Sequence, residues 1–143
     1  MIRPIITEKK QLAIQSEAIY SWAKTKIIIE DLIDTAKHYQ TKPIGCVGLA
    51  ANQIGCLSRI IVVWHEGRWL PMINPVVDPI PGKLSNQHEG CLSRPTVRTK
   101  VKRHKKIRVT YMNQEEETYQ KKYTGFIARV IQHEVDHLNG IYI

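Results

Sequence analysis

The chain has 143 residues, of which 43% are hydrophobic, and its 21 Lys and Arg against 13 Asp and Glu give a formal net charge of +8. This length predicts a single compact domain over residues 1–143, and the positive charge favours anionic partners. The sequence holds no run of about 18 apolar residues, and its start, MIRPIITEKK, lacks the apolar stretch of a signal peptide. We therefore expect no membrane span and a cytoplasmic location.

An amphipathic helix, from Ser21 to His38, is the first element that the sequence predicts. Its apolar residues recur at the spacing of one helical face and include Ile27, Ile28, Leu32, Ile33 and Ala36. The stretch TKPIGCVGLAANQIG then breaks the helix at Pro43 and places Gly45, Gly48 and Gly55 among small residues. We expect its backbone to turn sharply or to approach another group closely.

Strands are predicted in the middle of the chain. Residues 59–64 and 68–75 form two of them, joined by a tight turn around Gly67. The prolines at positions 71, 75, 79 and 81 predict that the following segment is irregular or lies at a sheet edge. KKIRVTYM and ETYQKKYT predict a later hairpin that turns at residues 113–117.

Much of the positive charge lies in RPTVRTKVKRHKKIRV, residues 94–109, where basic residues partly alternate with Val and Ile at strand spacing. A solvated strand face is favoured over a nucleic-acid reader, because no aromatic residues are interleaved for base stacking. We expect no sequence-specific binding of nucleic acid, although a weak attraction to RNA-rich machinery fits this charge.

The last predicted element is the helix GFIARVIQHEVDHLNG, with Gly125 before it and Gly140 after it. Its core-facing positions are Ile127, Val130, Ile131, Val135 and Leu138. Residues four apart lie almost one above the other in a helix, so His133 and His137 can hold one metal ion while Glu134 reaches a water on it. Such an HExxH motif indicates metal-assisted hydrolysis. Two surface histidines in a chance match are the alternative.

A working metal site needs a third protein ligand, but six residues follow His137 and none is a common metal ligand. The usual zinc metallopeptidases take that ligand from downstream of the motif, so here it must come from upstream. Of the three cysteines, too few for a disulfide framework, Cys91 in EGCLS is the best candidate, because Gly90 permits close approach. Cys46 is the competitor. Cys56 is expected to begin a buried strand.

Three stretches, GCVGLAANQIG, EGCLS and QHEVDH, occur in the order and spacing of the signature motifs of the peptide deformylases, so the chain resembles that family. The resemblance implies an α+β metallohydrolase, with antiparallel strands packed around the C-terminal HExxH helix and a further helix near the N-terminus. It implies one divalent ion, natively Fe²⁺ with Zn²⁺, Ni²⁺ or Co²⁺ as alternatives, bound by Cys91, His133 and His137. Glu134 is then the general base and acid, and Gln53 and the backbone N–H of Leu92 stabilise the oxyanion.

The same resemblance implies hydrolysis of the N-formyl group from the initiator methionine of nascent chains, with release of formate. The peptide would pair with the backbone around Gly48, as an added strand. The methionine pocket would be lined by Val47, Leu92, Phe126, Val130 and the stem of Arg129, for which plain core packing is the alternative. Glu89 and an ion pair between Asp136 and Arg103 would orient the metal ligands, with ordinary surface charge as the alternative for both.

The chain departs from the family pattern in two places. Cys46 stands where the first motif usually has glycine, which puts the conformation of that loop in question. The sequence also ends soon after His137, as in short, C-terminally truncated members known from bacteriophages. Ribosome association is therefore expected to be weak and to rest on the basic surface, and the protein is expected to be a monomer.

Two other functions fit parts of the pattern. HExxH alone also suits a metallopeptidase that cuts internal bonds, although the Cys91 and Gln53 motifs argue against it. A catalytically inactive metal-binding or ribosome-associated module is the second alternative, for which Cys46 leaves some room.

Overall fold

The computed structural model describes residues 1–141. Their helices are α1 (Lys9–Leu12), α2 (Trp22–Gln40) and α3 (Phe126–Leu138), with a 3-10 turn at Ala51–Ile54. Their strands are β1 (Gly48–Ala50), β2 (Ile60–His65), β3 (Arg68–Pro79), β4 (Leu84–Cys91), β5 (Arg94–His104), β6 (Lys106–Met112) and β7 (Thr118–Thr124). No helix among these residues is long and apolar enough to cross a membrane.

Antiparallel strands form two separate sheets. Five strands pair in the order β1-β2-β3-β6-β7, while β4 and β5 pair with each other in a two-stranded ribbon. Helix α3 packs against β1, β2 and β7, and it also contacts β5 of the ribbon. The predicted α+β fold, with antiparallel strands around the C-terminal helix and a further helix near the N-terminus, is confirmed.

The core has two layers, one on each face of the five-stranded sheet. Because successive side chains of a strand point to opposite faces, β2 contributes to both layers. Ile61 and Val63 pack with the apolar residues of α3, and Ile60 and Val62 pack with those of α2. The continuous apolar run of β2 is thus explained by a strand that is buried on both faces.

Both predicted helices are present, but one residue was predicted on the wrong face of its helix. In α3, Val130, Ile131, Val135 and Leu138 are buried as expected, and Ile127 is half-buried. In α2, the buried positions are Thr25, Ile29, Leu32, Thr35 and Ala36. Ile27 is 61% exposed, so its assignment to the buried face was wrong. The face that packs on the sheet is centred on Ile29 and Leu32, and Ile27 points away from it.

The prolines did not end the strand as predicted. Strand β3 continues through Pro75 to Pro79 and lies in the centre of the sheet, between β2 and β6. Its register against β6 shifts between Ile73 and Val76, where Asn74 adopts a positive φ of 50°. The Asn74 side chain accepts from the Ile19 N–H at 3.0 Å and donates to the Ile19 carbonyl at 2.9 Å, which holds this bulge in place.

Two further local predictions failed. Cys56 does not begin a strand, because β2 starts only at Ile60, and the cysteine is half-buried in the preceding loop. Residues 84–91, for which no strand was predicted, form β4 and pair along β5. The predicted hairpin of β6 and β7 is confirmed, with its turn between Met112 and Thr118.

Candidate active site

Three potential metal ligands meet where the ribbon contacts helix α3. His133 and His137 lie one turn apart on α3, with their Nε2 atoms 3.2 Å apart, and Cys91 ends β4 with its Sγ 3.3 Å from Nε2 of His137. All three ligand atoms lie within 4.8 Å of one another. Ligand atoms around a tetrahedral ion with bonds of about 2.1 Å are separated by about 3.4 Å, so the cluster has the dimensions of a metal site.

The positions of Cys91 and Cys46 distinguish the two candidates for the third metal ligand. Cys46 is not part of the three-residue cluster, and its Sγ donates a hydrogen bond to the Gly48 carbonyl at 3.3 Å. Burial raises the pKa of Cys46 to about 12, which keeps this thiol protonated. Cys91, by contrast, lies directly beside the two imidazoles, so the geometry favours it over Cys46 as the candidate third ligand.

The two histidines have different electrostatic surroundings. Burial lowers the pKa of His137 to about 3, so its ring is neutral and can offer a lone pair. Burial also acts to lower the pKa of His133, but its contacts with Cys91 and Glu89 outweigh that effect and raise it to about 10. A cation bound at Nε2 would take the place of that proton.

Glu89 fixes the orientation of His133. Its Oε1 lies 2.9 Å from Nδ1 of His133, and Arg103 donates to both of its oxygens at 2.9 and 3.0 Å. Although burial opposes ionisation, the hydrogen bonds from His133 and Arg103 lower the pKa of Glu89 to about 2. The carboxylate therefore receives the Nδ1–H and leaves Nε2 of His133 facing Cys91 and His137. Arg103 also pairs with Asp136, which confirms the ion pair expected from the sequence.

Arg129 belongs to the same network, which the sequence analysis missed. Its buried guanidinium donates to Glu89, to the Ser85 carbonyl at 2.6 Å and to the Val101 carbonyl at 3.0 Å. One feature of the sequence could have predicted this role: Arg129 lies one helical turn before His133, on the same face of α3. The sequence predicts only that the stem of Arg129 lines the methionine pocket.

Glu134 is buried beside the cluster and Gly48. Its Oε1 has no hydrogen-bond partner within residues 1–141, and burial raises the pKa of the carboxyl to about 7. A carboxyl that titrates near neutrality can both accept and release a proton. A Cβ atom added to Gly48 would lie 2.7 Å from Oε2 of Glu134 and 2.8 Å from Cγ1 of Val130. The close approach predicted from this glycine is therefore confirmed.

The first motif tolerates Cys46 because its neighbour provides the unusual backbone conformation. Gly45 has a φ of 63°, and Cys46 is not among the residues with positive φ. Glycine is thus required for conformation at position 45 and for space at position 48.

Gln53 and Leu92, the predicted oxyanion donors, are both neighbours of the candidate ligand Cys91. The Gln53 side chain accepts from the Ala50 N–H at 3.0 Å and donates through Nε2 to Ser93 Oγ at 3.1 Å. That Nε2 also lies 3.5 Å from Sγ of Cys91. Leu92 follows Cys91 at the end of β4. Their catalytic roles stay predictions.

A cleft of about 140 Å³ opens beside the cluster. Its lining includes every residue predicted to bind substrate, namely Val47, Gly48, Phe126, Arg129 and Val130, together with Leu92, His133 and Glu134. Phe126 is 66% exposed and Val130 only 6%, so Phe126 lies at the rim while Val130 also belongs to the core.

A larger cavity of about 700 Å³ lies elsewhere and is lined by Tyr20, Val76 and Asp136 among others. None of the three candidate metal ligands lines it.

Comparisons with known proteins agree with this geometry. The family model for polypeptide deformylases matches residues 2–143. A peptide deformylase of Clostridium beijerinckii is 39% identical over 143 residues, which cover 100% of both chains. The crystal structure of peptide deformylase from Thermotoga maritima has a TM-score of 0.90 at 33% identity, covering 99% of this chain and 95% of that one.

A probable peptide deformylase from synechococcus phage S-SSM7 has a TM-score of 0.87 at 31% identity, covering 98% of this chain and 96% of that one. Since a bacterial and a phage protein both match along nearly their whole lengths, the phage-like character stays a prediction. The family model, the relatives and the solved structures together show that the chain belongs to the peptide deformylase family of hydrolases.

Proposed function

We propose that this protein removes the N-formyl group from the initiator methionine of nascent polypeptides, with release of formate, by a metal-dependent hydrolysis. The observation that supports this most directly is the cluster of Cys91, His133 and His137 with the buried carboxyl of Glu134 beside it. Three protein ligands are the usual number in a catalytic site, since a fourth position must stay open for water or substrate.

One thiolate and two imidazoles suit Fe²⁺, Zn²⁺, Ni²⁺ or Co²⁺ and do not suit Mg²⁺ or Ca²⁺. We propose Fe²⁺ as the native ion, following the family. When bound, the ion supplies Lewis-acid chemistry, which acidifies a water and polarises the formyl carbonyl.

The residues of the chain then divide the remaining tasks. Glu134 accepts a proton from the attacking water and delivers it to the amine nitrogen as the bond between carbon and nitrogen breaks. Gln53 Nε2 and the backbone N–H of Leu92 donate hydrogen bonds to the oxygen of the formyl carbonyl as it gains negative charge. Glu89 holds the ring of His133 throughout.

The peptide binds as an added strand beside β1. This proposal is supported by the position of β1 at an edge of the five-stranded sheet, because within residues 1–141 no strand pairs with its outer side, which leaves the backbone around Gly48 to receive a peptide. The methionine side chain occupies the cleft against Val47, Phe126, Val130 and the stem of Arg129.

The test is formate release from a formyl-Met tripeptide by protein prepared without oxygen and loaded with Fe²⁺ or Ni²⁺. Glu134→Gln and an N-acetylated peptide are the controls. Formate from the wild type, none from the variant and little acetate from the control would support the proposal. Bound metal without formate would overturn it and would favour a binding module instead.

We also propose that residues 1–143 form a single catalytic domain that acts as a monomer in the cytoplasm. Weak ribosome association would use the outer face of the ribbon. The pairing of β4 with β5 places Arg98, Lys100 and Lys102 on that solvent-exposed face, whereas Arg103 points inward. Such contacts would be to phosphate and insensitive to sequence.

A further inference from the structure

A second cavity, of about 330 Å³, adjoins the substrate cleft. The two share Gln87, Phe126 and Arg129 in their linings, so the cavity begins where the cleft ends. Because Phe126 is 66% exposed, the boundary between them is an open rim. The remaining wall is formed by the first half of β4, the ends of β5 and β7 and the start of β6.

The lining of this cavity is strongly basic. It includes Arg103, His104, Lys105, Lys106 and Arg129, and no Asp or Glu. Arg103 and Arg129 are already paired with Glu89 in the interior. Lys105 and Lys106 are exposed, and neither forms a salt bridge with an acidic residue in the part of the chain described.

A peptide held by its methionine in the cleft must continue beyond it. An extended chain advances about 3.3 Å per residue, so the second and third residues after methionine lie about 7 to 10 Å further on. Because the cavity shares Phe126 and Arg129 with the cleft, a side chain at either position can pass Phe126 and enter the basic cavity. A carboxylate there would meet two lysines and no competing acid.

We propose that this cavity is a subsite for an acidic side chain among the first residues after methionine, with Lys105 and Lys106 as the residues that determine the preference. The proposal rests on the deformylase activity proposed above and names a substrate class for it. Because solvent-exposed ion pairs are weak, the expected preference for Glu over Gln at the best position is about 3- to 10-fold in kcat/KM. The preference should lie in KM and should shrink as salt is raised.

The experiment compares formyl-Met tetrapeptides that carry Glu, Gln or Lys at the second, third or fourth position. The wild type is measured beside Lys105→Gln/Lys106→Gln and a matched control, Lys121→Gln/Lys122→Gln. The control removes the same charge from exposed positions of β7 that do not line the cavity.

We expect the wild type and the β7 control to favour Glu at one position, and the Lys105 and Lys106 variant to lose that preference while its rate on the Gln peptide is unchanged. Equal rates on Glu and Gln peptides in the wild type would overturn the proposal. An equal loss of the preference for Glu in both double variants would also overturn the proposal, since it would show that the preference depends on the net charge of the protein. Formate release from the Gln peptide reports the basic activity independently, so the two proposals can fail separately.

Discussion

Gly48→Ala is the most direct test of the contact between β1 and α3. The new methyl would stand 2.7 Å from Glu134 Oε2 and 2.8 Å from Val130 Cγ1. Carbon atoms in favourable contact are about 3.5 to 4.0 Å apart, and a carbon and an oxygen are slightly closer, so both neighbours would have to retreat by roughly 0.7 Å or β1 would have to move outward. No positive φ is involved at this position, and the expected effect is therefore one of space alone.

The displacement should cost both stability and activity. Overpacking of this size costs about 1 to 3 kcal/mol, which corresponds to a fall in Tm of about 3 to 10 °C for a domain of this length. A catalytic group displaced by about 1 Å loses on the order of 10²-fold in rate. Because Glu134 is one of the two groups in collision, we expect the activity to fall further than the stability alone would explain.

Formate release and thermal unfolding are measured on Gly48→Ala, Val130→Ala and the double variant. Removing the Val130 methyls relieves one of the two collisions, so the double variant should recover part of the Tm but little of the activity. Gly90→Ala is a useful contrast, because its nearest contact would be the flexible end of Arg98, at 3.2 Å from Nη1. Wild-type kcat/KM and Tm in Gly48→Ala would refute the close approach of β1 to Glu134.

Three other predictions concern the metal, the buried ions and the ribbon. Glu134→Gln should lower kcat by at least about 10²-fold with unchanged metal content, and a parallel loss of metal would contradict its role as proton carrier. Arg103→Met should cost about 2 to 3 kcal/mol in unfolding free energy, since it removes two charge-assisted hydrogen bonds from the buried Glu89, which keeps Arg129 as a partner, and a Tm within 2 °C of wild type, about the effect of less than 1 kcal/mol, would contradict that. Lys100→Gln/Lys102→Gln should reduce co-sedimentation with ribosomes at low salt, whereas removing two lysines of β7 should not, and unchanged sedimentation would rule out the ribbon as the contact.

The elements that the sequence predicted well are those whose signal is local. The α3 helix has an apolar periodicity of its own, and His133 and His137 meet because of helical spacing alone. The glycines of the first motif were expected to permit a turn or a close approach. Gly45 has the positive φ of a turn, and Gly48 has the close approach to Glu134 and Val130.

The features that the sequence did not reveal depend on contacts distant along the chain. The β3 bulge is held by Asn74 through the backbone of Ile19, which lies 55 positions away. Likewise, Arg129 reaches Glu89 across 40 positions. Periodicity within a window carries no information on such pairs. From the sequence alone, the prolines therefore predict an irregular segment or a sheet edge. The bulge at Asn74 instead allows β3 to continue to Pro79 in the centre of the sheet.

These distant contacts explain how the site is assembled. Within the described residues, the ribbon shares no strand pairing with the five-stranded sheet, so its position depends on side-chain contacts, which include the Gln53–Ser93 hydrogen bond and several from α3. Gln132 accepts from the His104 N–H at 3.0 Å and donates to its carbonyl at 2.8 Å, while Arg129 binds a carbonyl on each ribbon strand. Because Cys91 lies on the ribbon and both histidines lie on α3, an ion held by all three would join the same two elements. Metal binding and the docking of the ribbon should therefore stabilise each other.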